Sequence, residues 1–114
     1  MIEVDYQGNI QMTRGDDVSL QVDLFARDGT PYAMASNDKL TLTVRKNADA
    51  AVTFQASATG TNTISIPHAT TSSLDAGKYV YDIELLTAGG DRDTVVGGNK
   101  ISDLFFHIIP DITR

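Results

Sequence analysis

The chain has 114 residues, enough for one ordinary domain with its own core. Nine Lys+Arg against fifteen Asp+Glu leave a net charge of −6, the wrong sign for broad nucleic-acid binding or for an anionic membrane, so neither partner is expected. There is no Cys, which excludes disulfides and thiolate zinc sites, and 41% hydrophobic with 21% charged residues excludes a disordered tail or a collagen-like fibre.

The opening segment, Met1-Ile2-Glu3-Val4-Asp5-Tyr6, has neither a basic n-region nor an apolar h-region, so no cleaved signal peptide is expected. Its starting Met fits a complete small reading frame made in a cytoplasm. From there the apolar residues recur with a period of two. Val18, Leu20, Val22 and Leu24 alternate with Ser19, Gln21 and Asp23. Leu40, Leu42 and Val44 alternate with Thr41 and Thr43; Ile64 and Ile66 flank Ser65. Tyr79, Tyr81, Ile83 and Leu85 alternate with Val80, Asp82 and Glu84, and Leu104, Phe106 and Ile108 are in phase across His107. Such alternation puts one set of side chains on each face of a strand. The frequent Thr suits a pleated surface. No window carries a sustained helical period, and the longest apolar stretch, Leu104-Phe105-Phe106-His107-Ile108-Ile109, falls far short of the ~20 residues of a membrane span.

Turn chemistry separates these runs. Asp28-Gly29-Thr30-Pro31 fits a hairpin turn. Ala48-Asp49-Ala50-Ala51 divides the 40–46 strand from a weaker one at Val52–Gln55, and Thr59-Gly60-Thr61-Asn62 leads into 63–66. Ala88-Gly89-Gly90-Asp91 joins 78–87 to a short strand at 93–96, after which Gly97-Gly98-Asn99 breaks or bulges the chain. Pro67-His68-Ala69-Thr70-Thr71-Ser72-Ser73-Leu74 predicts a crossover with a single helical turn, capped by Thr70 or Thr71. The count is seven to nine short antiparallel strands at the spacing of a sandwich, in one domain spanning residues 1–114.

The crossover feeds Leu74-Asp75-Ala76-Gly77-Lys78-Tyr79-Val80-Tyr81. This run resembles the tyrosine corner of immunoglobulin domains, Asp-x-Gly/Ala-x-Tyr-x-Cys, with Tyr81 in the Cys place. The resemblance implies an all-β, immunoglobulin-like sandwich. Tyr79 would start a central strand with its ring in the core and its hydroxyl bonded to backbone a few residues upstream. Asp75 would hold the turn through its carboxylate, and Gly77 would permit a tight approach. Leu74 would plug the base of the sandwich, and Tyr81 would fill the volume of the missing disulfide.

The resemblance extends over nearly the whole chain. Ile10-Gln11-Met12-Thr13-Arg14-Gly15-Asp16-Asp17-Val18-Ser19-Leu20 supplies a short strand ending in Gly-Asp before an alternating strand. Gly29-Thr30-Pro31-Tyr32 and Leu40-Thr41-Leu42-Thr43-Val44-Arg45-Lys46 supply a Gly-aromatic turn and a Leu-x-Leu-x-Val-Arg/Lys strand. Thr71-Ser72-Ser73-Leu74-Asp75-Ala76-Gly77-Lys78-Tyr79-Val80-Tyr81-Asp82-Ile83 supplies a Thr-x-x-Leu-x-x-Gly-x-Tyr-x-Tyr-Asp-Ile segment, and Pro110-Asp111-Ile112-Thr113 the tail. In this order the pieces resemble small tail- and baseplate-associated proteins from phages and prophages of Gram-positive bacteria, which in turn resemble the N-terminal domain of the lactococcal phage upper baseplate protein. One departure stands out. The family often has a Pro-containing bend where this chain has Thr94-Val95-Val96-Gly97-Gly98. The resemblance implies a virion protein, made in the host bacterial cytoplasm, whose partners are other phage structural subunits.

Chemistry finds little support in the residues. His68 and His107 have no Cys and no Gly-x-Ser-x-Gly elbow to act on, so no catalytic residue is expected. Asp16-Asp17 and Asp91-x-Asp93 match no EF-hand loop and fit ordinary turn use, so no metal is expected. Gly89-Gly90 and Gly97-Gly98 open no helix, and no cofactor is expected. Tyr6, Phe25, Tyr32 and Phe54 lie outside the main alternation and fit core edges or interface anchors better than a sugar platform. What remains is interaction. The last strand is apolar on both parities, and the face carrying Phe105, His107 and Ile109 is expected to meet another subunit, in a homo-oligomer or a larger assembly. The alternatives are a carbohydrate- or cell-surface-binding module for host attachment and a bacterial cytoplasmic domain without viral history.

Overall fold

The structure is a computed structural model that describes residues 2–4, 8–26, 28–96 and 104–110. Its elements run β1 (Ile2–Val4), β2 (Ile10–Thr13), β3 (Val18–Gln21), β4 (Lys39–Arg45), β5 (Val52–Thr59), β6 (Thr63–Ile66), α1 (His68–Thr71), β7 (Gly77–Leu86), β8 (Arg92–Val96) and β9 (Leu104–Ile109). Tyr6, Gly97-Gly98-Asn99 and Asp111-Ile112-Thr113 lie outside the described residues.

Two sheets face each other. The larger has the order β1-β2-β9-β7-β4-β5, and the smaller pairs β3 with β6. Of the ten residues of β7, Val80–Leu86 pair with β4 on one edge. The other edge is divided: Gly77–Tyr81 pair with β9, and Ile83–Leu86 with β8. Alternation sets the faces as the sequence predicts. Leu40, Leu42 and Val44, then Tyr79, Tyr81, Ile83 and Leu85, then Leu104, Phe106 and Ile108 all turn inward, to meet Val18, Leu20, Ile64 and Ile66. Phe106 is fully buried, with Phe54 edge-on at 5.7 Å and Tyr81 edge-on at 6.2 Å. The chain is an all-β sandwich, with a single short helix among the described residues.

Not every pairing is antiparallel, as the strand pattern suggested. β2 runs parallel to β9, with Ile10 opposite Phe106 and Met12 opposite Ile108. The physical reason is the turn that follows. Residues 14–17 carry the chain across to the smaller sheet, so β2 takes its direction from that crossing and not from a hairpin with β9.

The corner forms around a buried ring. The Tyr79 hydroxyl donates to the Asp75 carbonyl at 2.7 Å, and the Lys46 ammonium lies 4.8 Å from the ring centre. Leu74 packs against the core from the crossover. The Tyr81 ring is buried, and its hydroxyl donates to the Gly8 carbonyl before β2. Three expectations need correction. Asp75 serves through its carbonyl, and its carboxylate makes no hydrogen bond among the described residues. Gly77 marks no close approach, because a Cβ there would meet nothing within 4 Å; glycine suits its φ of +146°, which other residues rarely adopt. Neither Thr70 nor Thr71 caps α1. Pro67 precedes the helix, and the Asp17 carboxylate accepts the His68 N–H at 2.6 Å from the far side of the β2–β3 turn. Thr71 is instead fully buried, and its hydroxyl accepts the Gly15 N–H at 2.9 Å.

The opposite end depends on Asp38. This buried carboxylate accepts the Tyr32 hydroxyl at 2.6 Å, the Ala35 N–H at 3.0 Å and the Ala88 N–H at 3.1 Å. Its own carbonyl accepts the Gly60 N–H at 2.8 Å. Gly60 comes so near that a Cβ would stand 2.9 Å from the Ser36 carbonyl oxygen. One residue thereby gathers the 32–38 segment, the β5–β6 turn and the β7–β8 turn. The Tyr32 hydroxyl bond, helped by the two backbone donors, holds the Asp38 carboxyl below its ordinary value, and the same bond raises the Tyr32 phenol.

Two outcomes follow for stability. Tyr79→Phe leaves the Asp75 carbonyl without its partner and should cost about 1–3 kcal/mol in urea melts. Tyr79→Ala also empties a core volume and should cost about 3–5 kcal/mol. A Tyr79→Phe melt superimposed on wild type would show that the corner bond contributes nothing. For Asp38 the folded pKa is depressed, so its contribution is complete above the unfolded value of 3.8 and is lost as pH falls through the lower folded value. The urea midpoint of wild type should therefore drop below pH 3.8 more steeply than that of Asp38→Asn. Parallel acid profiles would remove Asp38 from the account.

Candidate functional site

The last strand places its three singled-out residues at two-residue spacing on the outer face of the larger sheet. Phe105 is 36% exposed, and His107 and Ile109 are half-buried. β9 lies inside the sheet, with β2 on one side and β7 on the other, so this exposure does not come from an edge position. Register builds the surface in rows. Glu3, Gln11, His107 and Lys78 stand side by side across β1, β2, β9 and β7. Phe105 is opposite Val80 on one side of that row, and Ile109 is opposite Thr13 on the other.

The Lys78 ammonium sits 4.3 Å from the centre of the Phe105 ring, a contact that screens one ring face from water. The Phe105 N–H is anchored on the Asn9 side chain at 3.1 Å. Beside them opens a groove of about 320 Å³, lined by Glu3, Lys78, Phe105 and His107 and by Val4, which is 52% exposed. A smaller hollow of about 50 Å³ lies against Ile109 and Thr13. One acid, Glu3, and one base, Lys78, make the row electrically balanced within an acidic protein.

A second outer surface, over β5, β4, β7 and β8, has the opposite character. It holds a depression of about 430 Å³. Thr43 stands between Gln55 and Asp82, and Thr41 between Ser57 and Glu84. The Gln55 amide donates to the Thr43 hydroxyl at 2.9 Å, and the Arg92 guanidinium meets Glu84 at 3.1 Å. The Asp82 carboxyl is raised above its ordinary value by partial burial and by the neighbouring Glu84, against a smaller opposing pull from Arg45. No sequence signal marked this basin, because Thr, Asp and Lys at alternating positions also describe any solvated sheet face.

The remaining candidates are dispersed. His68 Nδ1 lies 3.0 Å from the Asp17 carboxylate on an exposed flank. Asp91 and Asp93 are exposed, the first in the β7–β8 turn and the second on β8. Among the described residues no three His, Asp or Glu side chains are grouped to hold a metal ion. Phe25 is 65% exposed, near the tip of a small hairpin closed by Asp28, whose carboxylate accepts the Thr30 N–H and hydroxyl. No helix among the described residues is long and apolar enough to cross a membrane. Neither a protein-family model nor a curated protein matches the chain.

Proposed function

We propose that this chain is a non-catalytic structural or accessory subunit of a phage tail or baseplate, and that it works by protein–protein contact through the outer face of β9. The observation that carries the reading is Phe105, a large apolar side chain exposed on an interior strand and flanked by a groove. Interfaces favour aromatic anchors beside pockets. The balanced Glu3–Lys78 row lets an acidic partner, or a second copy, approach without net repulsion at this patch. The net charge of −6 keeps the free subunit soluble until then. The tail and baseplate assignment is supported by the four-part sequence resemblance and by the sandwich in which its first three segments fall on β2–β3, β4 and α1–β7.

Energetics suit a contact that forms within a larger assembly. Each large side chain contributes at most the ~1.5–3 kcal/mol of complete burial, and Phe105 and Ile109 are already partly covered. The test is light scattering and sedimentation with purified particles, on wild type and Phe105→Asp, with circular dichroism as the folding control. Wild type should self-associate or sediment with particles, and Phe105→Asp should remain folded and lose that association. A wild type that stays monomeric and never sediments with particles would overturn the reading. A mutant that unfolds would assign Phe105 to the core instead.

A further inference from the structure

We propose that the depression over β5, β4, β7 and β8 is a binding site for a hydroxyl-rich ligand, a short oligosaccharide. A sheet face is ordinarily flat, and the shape here has a cause in side-chain length. The residues at its floor, Thr41, Thr43 and Asp82, are short. Those around it, Lys39, Arg45, Gln55 and Arg92, are long. Neighbouring strands are ~4.8 Å apart and same-face residues ~6.8 Å apart along a strand, so the floor groups fall within the span of a sugar ring or two. A volume of about 430 Å³ is in the range of small-molecule sites.

The lining chemistry selects the guest. Three cations, Lys39, Arg45 and Arg92, face two carboxylates, Asp82 and Glu84, with threonine hydroxyls between them. A lone cation or a lone anion would meet repulsion from part of this set. A hydroxyl both donates and accepts, so a polyol can satisfy both signs in one pose. Glu84 already has Arg92 at 3.1 Å, whereas Asp82 has no ion-pair partner within 4.0 Å among the described residues. Asp82 is half-buried at the floor, beside Thr43, where it can accept two hydroxyls of a ring. The site suits a protein partner poorly. Protein interfaces concentrate aromatic residues and exclude charge at their centres, and this one has charge at its centre and no aromatic residue. It is separate from the Phe105 groove, so the two proposals fail independently.

The experiment uses the full chain, a panel of neutral and uronic-acid-containing oligosaccharides, and inorganic phosphate as a separate arm. Binding is followed through backbone amide shifts. At least one oligosaccharide should shift amides of Thr41, Thr43, Asp82 and Glu84. Asp82→Asn should weaken that binding at least roughly tenfold, the loss expected for one charge-assisted hydrogen bond. Thr43→Val, which keeps a β-branched side chain of the same shape, should weaken it as well, and Phe105→Asp should leave it unchanged. No shift with any oligosaccharide, shifts mapping elsewhere, full binding by Asp82→Asn, or binding of phosphate alone would each overturn the assignment.

Discussion

Everything in this sandwich is referred to β7. Its ten residues pair with β4, β8 and β9, and the Tyr79–Asp75 bond sets where it begins. In a strand the side-chain period is two, so a slip of one residue would exchange Tyr79, Tyr81, Ile83 and Leu85 with Lys78, Val80, Asp82 and Glu84. The core would then receive a base and two acids. Fixing the register at the corner therefore fixes both the buried face and the chemistry of the outer one.

That outer face is not uniform. Where β9, β2 and β1 flank β7 it carries Phe105, Ile109 and a balanced charge row. Where β4 and β5 flank it, it carries hydroxyls and charges of both signs. The change occurs along and across β7 itself, from Val80 to Asp82. A single sheet thus offers two surfaces with different affinities for water, and they suit partners of different chemistry.

Much of this was legible in the residues because the signals are local. Alternation located β3, β4, β6, β7 and β9, and turn residues located most of their ends. The Leu74–Tyr81 spacing located the corner, and the double apolar parity of β9 pointed to Phe105. What stayed hidden depends on contacts far apart in sequence. Asp38 looks like an ordinary loop acid until the Ala88 N–H arrives from fifty residues away. Asp17 caps α1 from fifty-one residues away, and no helix-start rule based on adjacent residues can find such a partner. β1 has only three residues and shows too little alternation to register. β5 extends to Thr59 through Ala56 and Ala58, whose small side chains carry a weak apolar signal.

The divided edge of β7 has a consequence for how the molecule breathes. Among the described residues β8 pairs with β7 alone, Arg92, Asp93 and Thr94 are exposed, and Val95 packs against the core. β9 is held on both sides and contributes Leu104, Phe106 and Ile108 to the interior. Peeling β8 away breaks its pairing with β7, whereas removing β9 breaks pairings on two sides and opens the core. Amide protons bonded between β7 and β8 should therefore exchange with solvent through local opening, while those between β7 and β9 wait for global unfolding. One strand would carry two protection regimes, with the boundary near the register shift between Ile83 and Glu84.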